Sequence, residues 1–125
     1  MAVVDLLETK KCLFICNGGS CMKKDAELVT VAIRKQITDL GFKDSVHTVR
    51  TRCIGRCDDA PLVFSSPDSV WYKEVFLEDV PEFVQNYLHS NQLIEKHHLH
   101  KMGESQIYSN SIPTKNRKKN LENGQ

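Results

Sequence analysis

Two cysteine pairs, Cys16-x4-Cys21 and Cys53-x3-Cys57, each stand where an apolar, strand-like run gives way to a loop. The 31 residues between Cys21 and Cys53 are enough for one helix and one strand. A parallel strand-helix-strand crossover would return the second loop to the same sheet end as the first. Four thiols gathered there would form the sulfur-rich environment that zinc or an iron-sulfur cluster takes.

The remaining pattern supports that crossover. Lys11-Cys-Leu-Phe-Ile-Cys16 is a short apolar run closed by Asn17-Gly-Gly-Ser20, which predicts a buried strand opening into a tight loop. From Asp25 to Leu40, the residues Leu28, Val29, Ala32, Ile33, Ile37 and Leu40 recur at helical spacing. Asp25 is expected to cap that helix, and Gly41 to end it in the left-handed C′ position. Ser45 to Arg52 alternates like a strand without settling which face is buried. Leu62-Val-Phe64 and Val70 to Val75 predict two further strands, joined by a hairpin connection over Ser65-Ser-Pro-Asp-Ser69. A second helix over Glu78 to His89 would bury Val80, Phe83, Val84, Tyr87 and Leu88, with Pro81 tolerated in its first turn.

The predicted order is therefore β-α-β-β-β-α, a thioredoxin-like α/β layout with a mixed four-stranded sheet and both helices packed on it. Residues 1–10 form a lead-in and residues 11–95 the domain. Residues 96–125 form a polar, basic tail expected to be disordered, with Ile94 to Leu99 as an extra turn or strand.

At 125 residues the chain makes one small domain that needs no disulfide to bury its core. No secretory signal and no run of membrane-spanning length is visible, so clustered cysteines are expected to meet a reducing cytoplasm. The net charge is +1, yet residues 101–125 hold five basic residues against two acidic ones. Without interleaved aromatics, that surplus reads as a solvated tail rather than a nucleic-acid surface.

Zinc and iron-sulfur readings both remain open on spacing. Zinc ribbons favour two-residue gaps, which this chain lacks. The plant-type ferredoxin pattern needs a cysteine where Lys24 stands, and a Cys-x-x-Cys dithiol is absent. Four unrelated buried thiols would be the bland alternative. Gly18, Gly19 and Gly55 give the loops backbone freedom to aim N–H groups at sulfur.

Taken together, Phe14-Ile-Cys16-Asn-Gly-Gly-Ser-Cys21, Arg52-Cys53-Ile-Gly-Arg-Cys57, Ala60-Pro-Leu-Val-Phe64 and Val70-Trp-Tyr72 resemble the thioredoxin-like 2Fe-2S ferredoxins. The same module occurs in the 24 kDa subunit of NADH dehydrogenase and in its hydrogenase and formate dehydrogenase relatives. The resemblance spans about residues 11 to 95. It implies one 2Fe-2S cluster, with Cys16 and Cys21 on one iron and Cys53 and Cys57 on the other. It further implies a small carrier of single electrons that is not itself an enzyme. Its expected partners are redox proteins, a reductase or an oxidoreductase, with a homodimer allowed and neither nucleic acid nor membrane involved. An electron-transfer subunit of an NADH-dependent dehydrogenase or hydrogenase complex, or a zinc-stabilised binding module, are the competing functions. Two departures stand out: Ala60 precedes Pro61 where the family commonly has Gly, and the four-residue gap between Cys16 and Cys21 is shorter than in many stand-alone members and closer to the complex-subunit form. Those subunits usually carry a helical segment ahead of the first strand, whereas only ten residues precede Lys11 here, which is expected to favour a free carrier.

Other residues are weighed more plainly. Cys12 is expected to be a small core residue on the strand face of Phe14 and Cys16. His97, His98 and His100 are expected on solvated chain rather than on a metal. Arg56, between two of the cysteines, is expected to orient a partner or raise the cluster potential, or else to face solvent. Asp58 and Asp59 are expected in a hydrated acidic loop, with steering of a basic partner towards the cluster edge as the alternative. Trp71 and Tyr72 should divide between core and a half-exposed face.

Overall fold

The computed structural model describes residues 4–89 and 94–109. The chain opens on strand β1, Lys11–Cys16, runs through a short helix α1, Gly19–Met22, and enters the long helix α2, Ala26–Asp39. Strand β2, Val46–Thr51, then pairs parallel to β1, Lys11 opposite Val46 and Cys16 opposite Thr51. Strands β3, Val63–Ser66, and β4, Val70–Tyr72, form the expected hairpin, and β3 lies antiparallel against β1. Helix α3, Val80–His89, follows a 3-10 turn over Leu77–Asp79.

The sheet has five strands in the order β2-β1-β3-β4-β5, not four. The extra strand, β5, is His98–Lys101, antiparallel to β4 with a bulge between Trp71 and Tyr72. The ordered sheet thus runs into the stretch expected to be tail. The extra turn or strand expected over Ile94 to Leu99 is both, a 3-10 turn over Glu95–His97 followed by the four residues of β5. They pair because β4 otherwise leaves an open edge and because His98 and Leu99 bury there. Residues 110–125 of the expected tail lie outside the described residues. Strand β4 is also shorter than expected, because Glu74 takes φ 49° and turns the chain, although Val75 remains fully buried.

Alternation along β1 divides the molecule. Leu13 and Ile15 point to the main core with Val29, Ile33 and Ile37 of α2, Val63 and Tyr72 of the hairpin, and Val80, Phe83, Val84 and Tyr87 of α3. Both helices therefore cover one sheet face. Cys12, Phe14 and Cys16 point the other way, where Phe14, Phe64 and Trp71 form a row of neighbouring rings with centroids 6.1 and 5.4 Å apart.

Helix α2 keeps its expected end and departs from its expected start. The Gly41 N–H donates to Thr38 O and the Phe42 N–H to Ile37 O, with Gly41 at φ 85°, a Schellman closure. Asp25 occupies the cap position at φ 65° and makes no side-chain cap bond. Leu28 faces solvent at 53% exposure, and Thr30 is buried in the helix instead. Its hydroxyl tolerates burial because it donates to Ala26 O.

Candidate metal centre

The parallel pairing of β1 and β2 brings their C-terminal ends side by side, and both cysteine loops leave from that end. The Cys16 N–H donates to Leu62 O, and the Asn17 N–H donates to Thr51 O at 2.8 Å, stitching the first loop to its neighbours. The Asn17 side chain donates to Ile15 O and to the Thr30 hydroxyl at 3.1 and 3.2 Å. Gly18 then crosses directly over the second loop: a Cβ at that position would lie 2.6 Å from Cys53 Cα. Only a residue without a side chain permits that approach. Gly19, by contrast, faces open space, and Gly55 is needed for its φ of 96°.

The two pairs differ in exposure. Cys16 and Cys21 are each 2% exposed, whereas Cys53 and Cys57 are open to solvent with their sulfurs 3.5 Å apart. Cys16 Sγ approaches Arg52 O at 3.6 Å, across to the second loop. The Cys21 thiol is pushed up to about 12, chiefly by burial and further by Cys16 and Cys57, with only the Leu62 backbone acting in the other direction. Cys16, Cys21 and Cys57 are therefore electrostatic neighbours, and Cys57 in turn touches Cys53. Among the described residues, no three His, Cys, Asp or Glu side chains surround a single ion position. Sulfurs gathered by twos suit a binuclear group, in which each metal takes two thiolates, better than one tetrahedral ion. Clustered thiols suit such a group, since a bound cation displaces thiol protons and offsets the charge of neighbouring thiolates.

Beneath the cysteines lies an apolar floor of Ala26, Ala60, Leu62 and Leu99, joined by Ile54 and Trp71. Ala60 is fully buried at φ −64° and ψ 150°, an ordinary extended conformation, so its methyl fills the floor without strain. An apolar cleft of about 240 Å³ opens beside the second loop, between Ile54, Gly55 and Arg56 on one side and Trp71, Leu99 and His100 on the other. A larger cleft of about 580 Å³ lies at the opposite sheet end, near Arg34, Lys43 and His47, and contains no cysteine.

Several expectations change here. Asp59 is not hydrated. It is 4% exposed in a 3-10 turn over Cys57–Asp59 and is gripped by Arg56, whose Nε and Nη2 lie 3.0 and 2.8 Å from its Oδ2. His97 and His98 are buried rather than solvated; His97 Nδ1 lies 3.0 Å from Lys73 O and its ring meets Phe83 edge-on. His100 stays at the surface with Nδ1 2.9 Å from Gln106 O. Cys12 is half-buried on the helix-free face, and four residues of strand put it about 13 Å from Cys16. The Trp71 and Tyr72 expectation holds: Tyr72 is buried in the main core and Trp71 half-exposed on the opposite face.

A thioredoxin-like α/β module whose two cysteine loops interlock at one sheet end is a defined class, and comparison with known proteins places the chain within it. No family model matches the chain. It is 33% identical over 79 residues to "Ferredoxin, 2Fe-2S" of Aquifex aeolicus (strain VF5), covering 62% of this chain and 71% of that protein. It is 44% identical over 80 residues to "Putative 2Fe-2S ferredoxin" of Priestia megaterium, a match over 64% of this chain and 62% of that relative's length. The structure of a thioredoxin-like 2Fe-2S ferredoxin from Aquifex aeolicus superposes with a TM-score of 0.71 at 28% identity, over 80% of this chain and 99% of that one. The chain belongs to the thioredoxin-like 2Fe-2S ferredoxin family.

Proposed function

We propose that this protein is a small electron carrier that holds one 2Fe-2S cluster, with Cys16 and Cys21 as ligands to one iron and Cys53 and Cys57 as ligands to the other. The observation that supports this reading is the passage of Gly18 against Cys53, which brings the two cysteine loops together. When bound, the cluster supplies a one-electron donor and acceptor that needs no covalent step with a substrate.

The chain's own residues divide the remaining work. Cys16 and Cys21, over the floor of Ala26, Ala60, Leu62 and Leu99, keep water from the inner side. Cys53 and Cys57 present the outer side to solvent, so a redox partner approaches over the second loop. The neighbouring apolar cleft offers that partner a dry contact patch, in keeping with the small interfaces of transient redox encounters. None of these residues is assigned a catalytic role. No helix among the described residues is long and apolar enough to cross a membrane, and five free thiols suit a reducing, cytoplasmic setting.

Anaerobic purification followed by iron, acid-labile sulfide and zinc analysis tests this directly. Equal iron and sulfide, with an EPR signal appearing on one-electron reduction, is the expected outcome. Colourless protein carrying stoichiometric zinc would overturn it.

A further inference from the structure

Arg56 sits inside the second cysteine loop, next in sequence to Cys57, and its side chain folds back on Asp59 with only 12% and 5% of the two side chains exposed. Nε and Nη2 both address Asp59 Oδ2. The other carboxylate oxygen, Oδ1, accepts a hydrogen bond from the Ser109 hydroxyl, in the segment behind β5. The backbone closes the same knot: the Asp59 N–H donates to Arg56 O at 2.9 Å, and the Glu74 N–H donates to Asp59 O at 2.9 Å. Asp59 therefore joins three parts of the chain: its carboxylate holds Arg56 of the cysteine loop and Ser109, and its main-chain carbonyl holds the turn after β4.

We propose that Asp59 is a positioning residue that clamps the Cys53–Cys57 loop to the segment behind β5 and balances the Arg56 charge beside the cysteines. The clamp rests on the packing alone, because a buried carboxylate that holds both a guanidinium and a hydroxyl hydrogen bond cannot move without leaving a charge unpaired. The charge balance rests on the cluster reading. Thiolates and bridging sulfides make the bound group anionic, and a nearby guanidinium favours the reduced, more negative state, while a carboxylate opposes it. With the two charges paired at contact distance, their effects on the potential nearly cancel.

Two measurements test the two halves separately. In the metal-free full chain, Asp59→Asn and Ser109→Ala are each expected to speed hydrogen exchange at the Asp59 and Glu74 amides by about tenfold, the loss of one buried hydrogen bond, with α3 amides unchanged. Unchanged exchange at both sites would overturn the clamp, whether or not a cluster can be loaded. In the loaded protein, Asp59→Asn is expected to raise the midpoint potential, Arg56→Gln to lower it, and the double variant to return it close to wild type. Singles that move the potential in the same direction, as mere loosening of the loop would cause, overturn the charge balance. If the wild-type chain takes up no iron, the cluster reading fails and the charge balance with it, while the exchange experiment still decides the clamp.

Discussion

Gly18 and Cys53 touch through their backbones: a methyl group at residue 18 would lie 2.6–2.7 Å from three atoms of Cys53. No rotamer change relieves such a clash, because Cys53 Cα and N are main-chain atoms. Gly18→Ala is therefore expected to separate the loops, destabilise the metal-free fold by about 1–3 kcal/mol and sharply reduce iron retention. Gly19→Ala, which meets nothing within 4 Å, should do neither. Thermal melts and iron analysis of the two variants side by side provide the check; equal behaviour would refute the contact.

The ligand assignment is tested by serine substitution. Cys53→Ser and Cys57→Ser should each weaken cluster retention far more than Cys12→Ser, whose sulfur lies on the helix-free face about four strand residues from Cys16. Iron-to-protein ratio after desalting is the measurement. Equal loss in all three would contradict the assignment.

Strand β5 supports the site from below through Leu99, which is 2% exposed and packs in the floor with Cys16 and Cys21. Leu99→Ala should cost about 2–5 kcal/mol and hasten loss of iron. Met102→Ala, at a residue 57% exposed, should change stability by no more than about 0.5 kcal/mol. Urea unfolding of both variants distinguishes a strand integral to the fold from a dispensable appendage.

Alkaline pH should unfold the metal-free protein early. Burial raises the phenols of Tyr72 and Tyr87 above their ordinary range, Asp68 adding to both, although Tyr87 also shares a 2.6 Å hydrogen bond with Ser65. Cys21 is raised in the same sense, to about 12 from 9.0. Groups raised in the folded state retain protons that the unfolded chain releases, so the stability they contribute is complete below about pH 9 and declines as pH climbs past their unfolded values, about 9 for Cys21 and about 10 for the tyrosines. Urea midpoints between pH 8 and 11 should fall, and Tyr87→Phe should flatten the fall. A pH-independent midpoint would count against this account.

Much of the frame was legible before any coordinates. The run from Lys11 to Cys16, the helix ended by Gly41 and the hairpin around Pro67 each combine an apolar period with a backbone punctuation mark, and such signals are local. What escaped was non-local. That the turn or strand expected over Ile94 to Leu99 joins the sheet depends on the edge β4 offers it, and Asp59 is buried only because Arg56 and Ser109 meet it there. Thr30 replaced Leu28 in the core because its hydroxyl finds Ala26 O and the Asn17 amide, an exchange invisible to a hydropathy period. The cysteine spacing suggested convergence, but only the fold reveals that Gly18 is where the loops cross.

The chain's single tryptophan packs against the apolar floor beneath the cysteines. With the proposed ligand set, this intrinsic fluorophore would stand next to a pigment that absorbs visible light and quenches nearby emitters. Its ultraviolet emission should dim as the centre is assembled and brighten as it decays, giving a label-free optical record of cofactor loading.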